Sequence, residues 1–400
     1  MDSAVVVGAG VLGACVSYHL ARAGVRVAVV EAAGPAAGTS GATFSVDVTH
    51  LKTPYAYYRL NRQGSEEHRR LAEALDGPAW RHPAPLLQWA DGDAAHQALR
   101  ARALRVRGWG HDCRLAPRSV LRELAPAVAP AACGADEIVV HTSTSWFDAP
   151  RFVRTLLDAA VRHGAETHYG VTVTGLTRAR GRITGVRAGD RSWRADTVVN
   201  CAGPEAARVA ALAGARLPLR QVPGLLIESA PLHGDPLTAI IAAPGIDLRP
   251  APGGGVLALS WDIDARLDGA AGPAPRGEGP GPDPRSRFGG LTRELRGRAG
   301  AVLPGLARTG TEDARIGVRP VPADGLPLVG EEPGAPGLYH LVSHSAVTLA
   351  PVLGRLAARE IATGRAAAEL ALYRPDRAAP GDVQDENLRA MDERRPRAAS

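Results

Sequence analysis

Residues 4–31 read AVVVGAGVLGACVSYHLARAGVRVAVVE, and this stretch decides the fold. A β-branched run breaks at three glycines that are spaced as G-x-G-x-x-G, namely Gly8, Gly10 and Gly13. A helical pattern follows over 11–23, and a second strand over 25–30 leads to Glu31. Such glycines allow a tight turn, close approach of a diphosphate, and close packing of helix against strand. The N-terminus of the helix then favours the negative charge of the diphosphate.

The acidic residue at the end of the second strand completes the pattern. Glu31 follows the last glycine at close to the ~20-residue spacing of the carboxylate that binds a ribose hydroxyl. A carboxylate at this place repels a 2′-phosphate, which argues against NADP. The whole unit predicts a dinucleotide bound at the first strand-to-helix turn.

Length and composition predict a two-domain globular protein. The chain has 400 residues, of which 45% are hydrophobic, and no apolar run reaches the ~18 residues of a membrane span. A strand begins within four residues of the N-terminus, with no basic region before it, so we expect no signal peptide. The cysteines are scattered, without metal-binding spacing, which predicts free thiols in a reducing cytoplasm and no metal site: Cys15, Cys113, Cys133 and Cys201.

The charge balance does not indicate a nucleic-acid partner. The net charge is +6, but Lys52 is the only lysine and the arginines are spread along a chain rich in Ala, Gly and Pro. A nucleic-acid surface needs a basic stripe with interleaved aromatic residues, and the sequence has none. We therefore expect a solvated basic surface.

Three more junctions of small residues can approach a long ligand, although each can also be an ordinary turn. Gly38-Thr39-Ser40-Gly41 follows the first unit. Cys201-Ala202-Gly203 joins the strand 198–200 to a helix from Glu205. The stretch GLYHLVSHSAVTLAPVLGRLAAREIATG runs from a strand through such a turn into a helix that ends near Gly364.

The spacing of apolar residues and the positions of Gly, Pro and capping residues predict the other elements. Strands are expected over 164–203 and 217–263, whereas 76–135 is expected to be irregular apart from one helix. Asp268–Gly290 is Gly/Pro-rich and predicts a flexible loop, and residues 376–400 predict a disordered tail. The remaining helices are expected at Tyr55–Leu75, Ala94–Arg105, Arg151–His163 (capped by Asp148) and Leu291–Leu303.

Together these pieces resemble the D-amino acid oxidase family of flavoproteins, which includes glycine oxidase, sarcosine oxidase and related amino acid dehydrogenases. The resemblance covers about residues 3–375. It is strongest in the N-terminal unit and in VVNCAGPEAARVAALAG, RIGVRPVPADGLPLVG and GLYHLVSHSAVTLAPVLGRLAAREI. It implies FAD, with the ADP part on the N-terminal unit and the flavin against the C-terminal turn. The single dinucleotide fingerprint, with no second one for a nicotinamide, independently favours FAD.

The resemblance also implies which residues bind the cofactor. Val173 matches the position whose backbone meets adenine, and Ala346 stands where relatives usually have glycine, so its φ has to be negative. No cysteine beyond Cys201, and no histidine over 39–44, matches the covalent links of relatives, which implies non-covalent FAD. The expected cofactor-binding residues are Gly8, Gly10, Val11, Leu12, Gly13, Glu31, Thr39, Ser40, Ala42, Thr43, Val173, Cys201, Ala202, Gly203, Arg319, Ser345, Ala346, Val347, Thr348 and Leu349.

Arg319 matches the family arginine that grips the substrate carboxylate, a two-pronged task suited to a guanidinium. Arg315 is a competing candidate. The other candidates for catalysis can each be a structurally satisfied polar residue instead: His50, Lys52 and His344. Trp261, on an expected strand, can cover the pocket or be part of the core.

We therefore expect an α/β protein with a Rossmann-like FAD-binding domain formed by residues 1–60, 146–214 and 312–375. A discontinuous second domain, residues 61–145 and 215–311, is expected to be built on an antiparallel sheet. The implied reaction moves hydride from the amine-bearing carbon of an amino acid or amine to flavin N5, with O2 or another electron acceptor. The alternative is a desaturase or tailoring oxidase that acts on a larger amine-containing metabolite.

Overall fold

The computed structural model describes residues 1–76, 79–232, 234–267 and 288–377. Most of the predicted loop Asp268–Gly290 lies outside this range, and so does the predicted disordered tail from residue 378 onward. Arg377, which precedes the undescribed residues, donates from Nε and Nη2 to the Asp324 carboxylate at 2.7 and 2.8 Å.

The strands, in chain order, are β1 Ser3–Val7, β2 Arg26–Val30, β3 Arg81–Pro83, β4 Leu86–Gln88, β5 Cys113–Pro117, β6 Glu137–His141, β7 Ser145–Phe147, β8 Glu166–His168, β9 Gly175–Ala179, β10 Arg182–Ala188, β11 Arg191–Arg194, β12 Thr197–Asn200, β13 Leu219–Ser229, β14 Ile240–Ala243, β15 Ile246–Pro250, β16 Val256–Leu259, β17 Thr311–Pro322, β18 Leu328–Glu331 and β19 Leu338–Val342.

The helices are α1 Val11–Arg22, α2 Tyr55–Ala74, α3 Asp93–Gly108, α4 Leu121–Leu124, α5 Ala149–Arg162, α6 Ala206–Ala211, α7 Trp261–Ala265, α8 Gly289–Val302 and α9 Ala346–Thr363. The predicted helices are confirmed within a few residues at each end. Asp148 Oδ1 accepts the backbone N–H of Arg151 at 3.0 Å, which confirms the predicted cap of α5.

The first sheet has the strand order β18-β19-β12-β1-β2-β8, and its strands are parallel except for β18. Strand β1 lies in the middle and both its faces are buried, which explains its unbroken apolar sequence. Val6 joins the core cluster that contains α1, α5 and α9, whereas Val5 and Val7 pack towards β10 on the opposite face. This parallel sheet with its first turn confirms the Rossmann-like prediction.

The second sheet has the order β17-β13-β16-β15-β14-β4-β6-β5. Its pairs are antiparallel except for β14 with β4, which confirms the predicted antiparallel second sheet. The sequence division puts residues 312–322 with the cofactor-binding segments, yet β17 pairs with β13 of this sheet from Thr311 to Pro322. Strand β17 therefore belongs to the second sheet.

The expectation that residues 76–135 are irregular outside one helix was wrong. This region contains β3, β4 and β5, of which β4 and β5 belong to the second sheet. These strands are three to five residues long, and prolines lie at or next to their ends. Such short segments show no readable alternation, because pairing with distant strands stabilises them rather than local preference. Among the residues that the structure describes, no helix combines the length and the apolar character needed to cross a membrane.

Candidate cofactor and substrate site

The turn between β1 and α1 requires its glycines. Gly8 has φ +108°, and a Cβ there would lie 2.4 Å from the carbonyl oxygen of Cys201. A Cβ on Gly13 would lie 2.0 Å from the carbonyl oxygen of Gly8. The turn is therefore packed directly against the end of β12, so that two of the predicted small-residue junctions lie side by side.

Glu31 lies at the carboxyl end of β2, beside the start of α1. Its Oε2 accepts the N–H of Ala9 at 2.8 Å, and its Oε1 accepts the N–H of Ala33 at 2.9 Å. Ligands of open α/β sheets bind at this edge, where the strand order reverses. The carboxylate thus ties the first turn to the segment after β2 at the place where the ribose is expected.

The predicted loop 38–41 lies across the start of α1. Ser40 Oγ accepts the N–H of Val11 at 3.1 Å, and a Cβ on Gly10 would lie 3.0 Å from that oxygen. Thr39 Oγ1 donates to the carbonyl oxygen of Val318 in β17. The loop therefore links the nucleotide turn to the second sheet. Leu12, in the first turn of α1, is buried.

Val173 and the junction at Ala202 and Gly203 are two further predicted cofactor contacts. Val173 is buried and its carbonyl oxygen accepts a hydrogen bond from Arg208 Nη1 at 2.9 Å. Gly203 has φ +56°, and the N–H of Ala202 donates to Asn200 Oδ1 at 3.3 Å. Ala202 lies directly against the first turn, since a Cβ on Gly8 would lie 3.2 Å from its Cα.

A cavity of 670 Å³ begins at Thr39, in the loop that lies across the start of α1. It lies between the second sheet and the loops that follow β2 and β19. The loop after β2 contributes Thr39, Ala42, Thr43 and Phe44, and the C-terminal turn contributes His344, Ser345, Ala346, Val347 and Thr348. Ala346 is the first residue of α9, so its backbone is helical and its φ is negative, as its side chain requires. Leu349 is fully buried beneath this wall.

Arg319 projects from β17 into the cavity wall. Its Nη2 donates to Asp264 Oδ2 at 2.8 Å, and its guanidinium carbon lies 4.8 Å from the centroid of the Trp261 ring. On the neighbouring strand, a Cβ on Gly224 would lie 2.5 Å from Nη2, so glycine makes room for the guanidinium. Trp261 also lines the cavity and donates from Nε1 to Asp247 at 3.0 Å. Its prediction on a strand was wrong, because it begins α7.

Asp264 is the partner that the sequence did not reveal. The residue is 4% exposed, and burial raises the pKa of its carboxyl while Arg319 acts to lower it. Arg315, the competing candidate, is engaged elsewhere: it pairs with Glu228 and with Asp313 at 2.8 Å, and it donates to the carbonyl oxygen of Gly41. Arg319, by contrast, is held at the cavity.

The other three candidates lie around the C-terminal turn and the loop 49–52. Lys52 is fully buried and its Nζ donates to Ser345 Oγ at 2.7 Å, while His344 Nδ1 lies 3.4 Å from the same oxygen. Ser345 directly precedes α9, so the Lys52 ammonium is bound at the start of that helix. His50 is 2% exposed and lines the cavity, where it packs against two further histidines.

The sequence did not single out several other residues of the site. Gly317 lets β17 approach the loop after β2, since a Cβ there would lie 2.1 Å from the carbonyl oxygen of Ala42. Gln88, Asp91 and Arg102 extend the cavity wall onto β4, the segment after it and α3. Only the pairing of distant strands places them there.

Known proteins show the same architecture. Residues 3–360 match the family model DAO, FAD dependent oxidoreductase. Glycine oxidase of Pseudomonas aeruginosa is 27% identical over 374 residues, which cover 91% of this chain and 95% of that protein. The uncharacterized oxidoreductase YurR of Bacillus subtilis is 25% identical over 395 residues, which cover 94% of this chain and 99% of that protein.

The fold is that of a solved relative as well. The crystal structure of glycine oxidase from Geobacillus kaustophilus superposes with a TM-score of 0.79 at 22% sequence identity, covering 94% of this chain and 100% of that one. The nucleotide turn, the ribose-side carboxylate and the cavity at the start of α9 fit the cofactor of this family. The chain belongs to the DAO family and is an FAD-dependent oxidoreductase.

Proposed function

We propose that this flavoenzyme oxidises the C–N bond of a small amino acid or a related amine. When bound, FAD would supply a two-electron acceptor for the hydride of the amine-bearing carbon. The amine nitrogen would lose a proton as the substrate becomes an imine, and water would hydrolyse the imine to a carbonyl compound and an amine or ammonia. The observation that carries the proposal is the guanidinium of Arg319, which is held in the cavity wall by a buried carboxylate and an aromatic ring.

The proposed role of Arg319 is to bind the substrate carboxylate. Nη2 of Arg319 donates to Asp264, and Nη1 donates to the carbonyl oxygen of Pro223 at 3.4 Å. The side chain of Arg319 is 18% exposed, so its remaining N–H donors can face the cavity. A carboxylate binds a guanidinium through two parallel hydrogen bonds. This contact orients the substrate, and orientation accounts for a large share of rate enhancement in hydride transfer.

Lys52 and His344 are proposed to act through the C-terminal turn. Lys52 donates to Ser345, next to the first N–H groups of α9, and Val347 and Thr348 of that helix line the cavity. A helix N-terminus stabilises negative charge that develops beside it. Lys52 is therefore a positioning residue in this proposal. Nδ1 of His344 lies within hydrogen-bond distance of the same Ser345 hydroxyl.

The FAD is proposed to be held without a covalent bond. The four cysteines are free and buried, and burial raises the pKa of the Cys201 thiol, which disfavours the reactive thiolate. Four free thiols also support the proposed cytoplasmic location, where thiols stay reduced.

A larger amine-containing metabolite is the second candidate substrate. The observation that favours it is the continuation of the cavity wall onto Gln88, Asp91 and Arg102. These side chains are polar or charged and lie on β4, the following segment and α3, so they can contact parts of a substrate beyond its carboxylate.

The test is anaerobic bleaching of the bound flavin with a panel of substrates. The panel contains glycine, N-methylated glycine, small D- and L-amino acids, and matched amines that lack the carboxylate. Bleaching by small amino acids but not by the matched amines supports the proposal. Bleaching by larger amines alone favours the second candidate, and a flavin that no member bleaches contradicts both. Reoxidation by O2, compared with an artificial dye, then identifies the class of electron acceptor.

A further inference from the structure

Three histidines from separate parts of the chain meet beside the cavity. His50 belongs to the short 3-10 helix Thr49–Leu51, His111 precedes β5, and His141 is the last residue of β6. One possible ligand atom from each side chain lies within 4.8 Å of the other two. His111 Nε2 and His141 Nδ1 are 3.0 Å apart, and the ring centroids of His50 and His141 are 4.2 Å apart.

Two of these rings carry a nitrogen that lacks a protein partner. His50 is 2% exposed and His141 is 1% exposed, and neither His50 Nδ1 nor His141 Nε2 makes a hydrogen bond within the described structure. A buried polar atom without a partner costs free energy, so each such atom calls for a ligand, an ion or a water molecule. The unpartnered Nδ1 of His50 is the atom that can complete a ligand set with His111 Nε2 and His141 Nδ1, because one imidazole gives a single metal ion only one of its two nitrogens.

Each imidazole offers one ring nitrogen as a possible metal ligand, and the three nitrogens converge on one place. Neutral imidazole is the ligand form, because a metal ion has to displace any proton.

We propose that His50, His111 and His141 bind one divalent transition-metal ion, with zinc as the best match. Zinc–nitrogen bonds of ~2.0–2.1 Å place the nitrogens of a tetrahedral site about 3.3 Å apart. The 3.0 Å separation of the His111 and His141 nitrogens is close to this value, whereas a separation at the 4.8 Å limit has to shorten by about 1.5 Å when the ion binds.

The surroundings favour a transition metal over calcium or magnesium. Asp47 and Asp112 add negative potential at His111, where Arg62 adds positive potential, and Arg102 and Lys52 add positive potential at His50. Affinity therefore has to come from nitrogen lone pairs rather than from a carboxylate cage, and imidazole sets suit zinc, copper and nickel.

The site would join the two halves of the cavity wall. His50 follows the loop after β2 that lines the cavity, whereas His141 ends a strand of the second sheet. Three protein ligands leave a fourth coordination position open, and His50 lines the cavity itself. The histidines are far apart in the sequence, which is why cysteine counting and local spacing predicted no metal site.

The experiment measures zinc binding to untagged, flavin-loaded protein after dialysis against a chelator. Equilibrium dialysis with Zn²⁺ compares the wild type with His50→Gln, His111→Gln and His141→Gln, and with the control His163→Gln, which removes an exposed histidine at the end of α5. We expect one zinc ion per chain, an affinity loss of about 100-fold in each cluster variant, and wild-type affinity in the control. No binding by the wild type, or equal binding by the cluster variants, overturns the proposal.

A second measurement keeps the test decisive if a cluster variant fails to hold flavin. Co²⁺ added to the wild type is followed by difference absorption against the same protein without metal, which cancels the flavin. Intense ligand-field bands of a four- or five-coordinate ion support the site. Weak bands of an octahedral, water-bound ion overturn it. Neither readout depends on the substrate, so failure here leaves the proposed amine oxidation untouched.

Discussion

Arg319 Nη2 donates to Asp264 Oδ2 over 2.8 Å, and Asp264 Oδ1 accepts the N–H of Leu225 at the same distance. The carboxylate thus connects the cavity guanidinium to the backbone of β13. The Trp261 ring also lies against the guanidinium, so the Arg319 cation is held both by the Asp264 carboxylate and by the Trp261 ring. Such an arrangement keeps Arg319 in place before a substrate arrives.

Replacing Arg319 by lysine tests the carboxylate contact. Lysine keeps a positive charge near Asp264 but cannot form two parallel hydrogen bonds with a carboxylate. We expect Arg319→Lys to retain flavin and to lower kcat/KM for amino acids, as measured by steady-state kinetics. The decrease should correspond to a loss of about 2–3 kcal/mol of transition-state stabilisation.

A matched amine without the carboxylate is the control for this variant, because that substrate never uses the contact. An equal loss on both substrates would point to a disturbed flavin site. No loss on either would remove the carboxylate from the proposal. Arg319→Ala is a poorer probe, since it leaves the buried charge of Asp264 without its partner.

Replacing Asp264 by asparagine tests the support of Arg319. Asparagine can still accept from Leu225, but it removes the charge that fixes the guanidinium. We expect Asp264→Asn to raise KM about tenfold, equivalent to ~1.4 kcal/mol, with a smaller change in kcat. An unchanged KM would show that Trp261 and β17 suffice to position the arginine.

Glu31→Ala is expected to weaken FAD binding by roughly 1–3 kcal/mol, the scale of a lost charge-assisted hydrogen bond. Flavin-fluorescence titration measures the affinity. Glu31→Gln is the matched variant: it keeps the shape and one acceptor for the N–H groups of Ala9 and Ala33, and it removes the charge. Wild-type affinity in both variants would mean that Glu31 only organises the local backbone.

The nucleotide turn was predictable because its constraints are local. The backbone of Gly8 and the close packing of Gly13 arise within one strand–turn–helix unit. The pairing of Arg319 with Asp264 was not predictable, because it spans 55 residues and depends on how β17 pairs with β13. The histidine cluster likewise forms only when β6 and the loop at His50 meet.

Acid treatment tests the non-covalent attachment of FAD. The buried, protonated thiol of Cys201 and the absence of histidine from residues 39–44 leave no matching attachment residue. We expect all yellow colour to appear in the supernatant after acid precipitation. Flavin that remains with the precipitated polypeptide would contradict the proposal.

The stability of the protein is expected to fall in mild acid because of His68. This residue is fully buried, its ring stacks on Phe147, and its Nε2 bonds the carbonyl oxygen of Val347 at 2.7 Å, in the cavity-lining turn of α9. Trp80 Nε1 donates to Nδ1 at 3.4 Å, which selects the neutral ring. Burial lowers the pKa of His68 from 6.5 to about 3.

The folded protein therefore binds fewer protons than the unfolded chain between these two values. The free energy of unfolding has its full His68 contribution above pH 6.5 and loses about 1.4 kcal/mol for each pH unit below it, until the folded-state pKa near 3 is reached. Urea unfolding at a series of pH values measures this slope. His68→Gln can still donate to Val347 but cannot be protonated, so the slope between pH 6 and 4 should decrease by about that amount. The same slope in wild type and variant would show that other buried groups, such as His19 with its pKa lowered to about 4, account for the acid sensitivity.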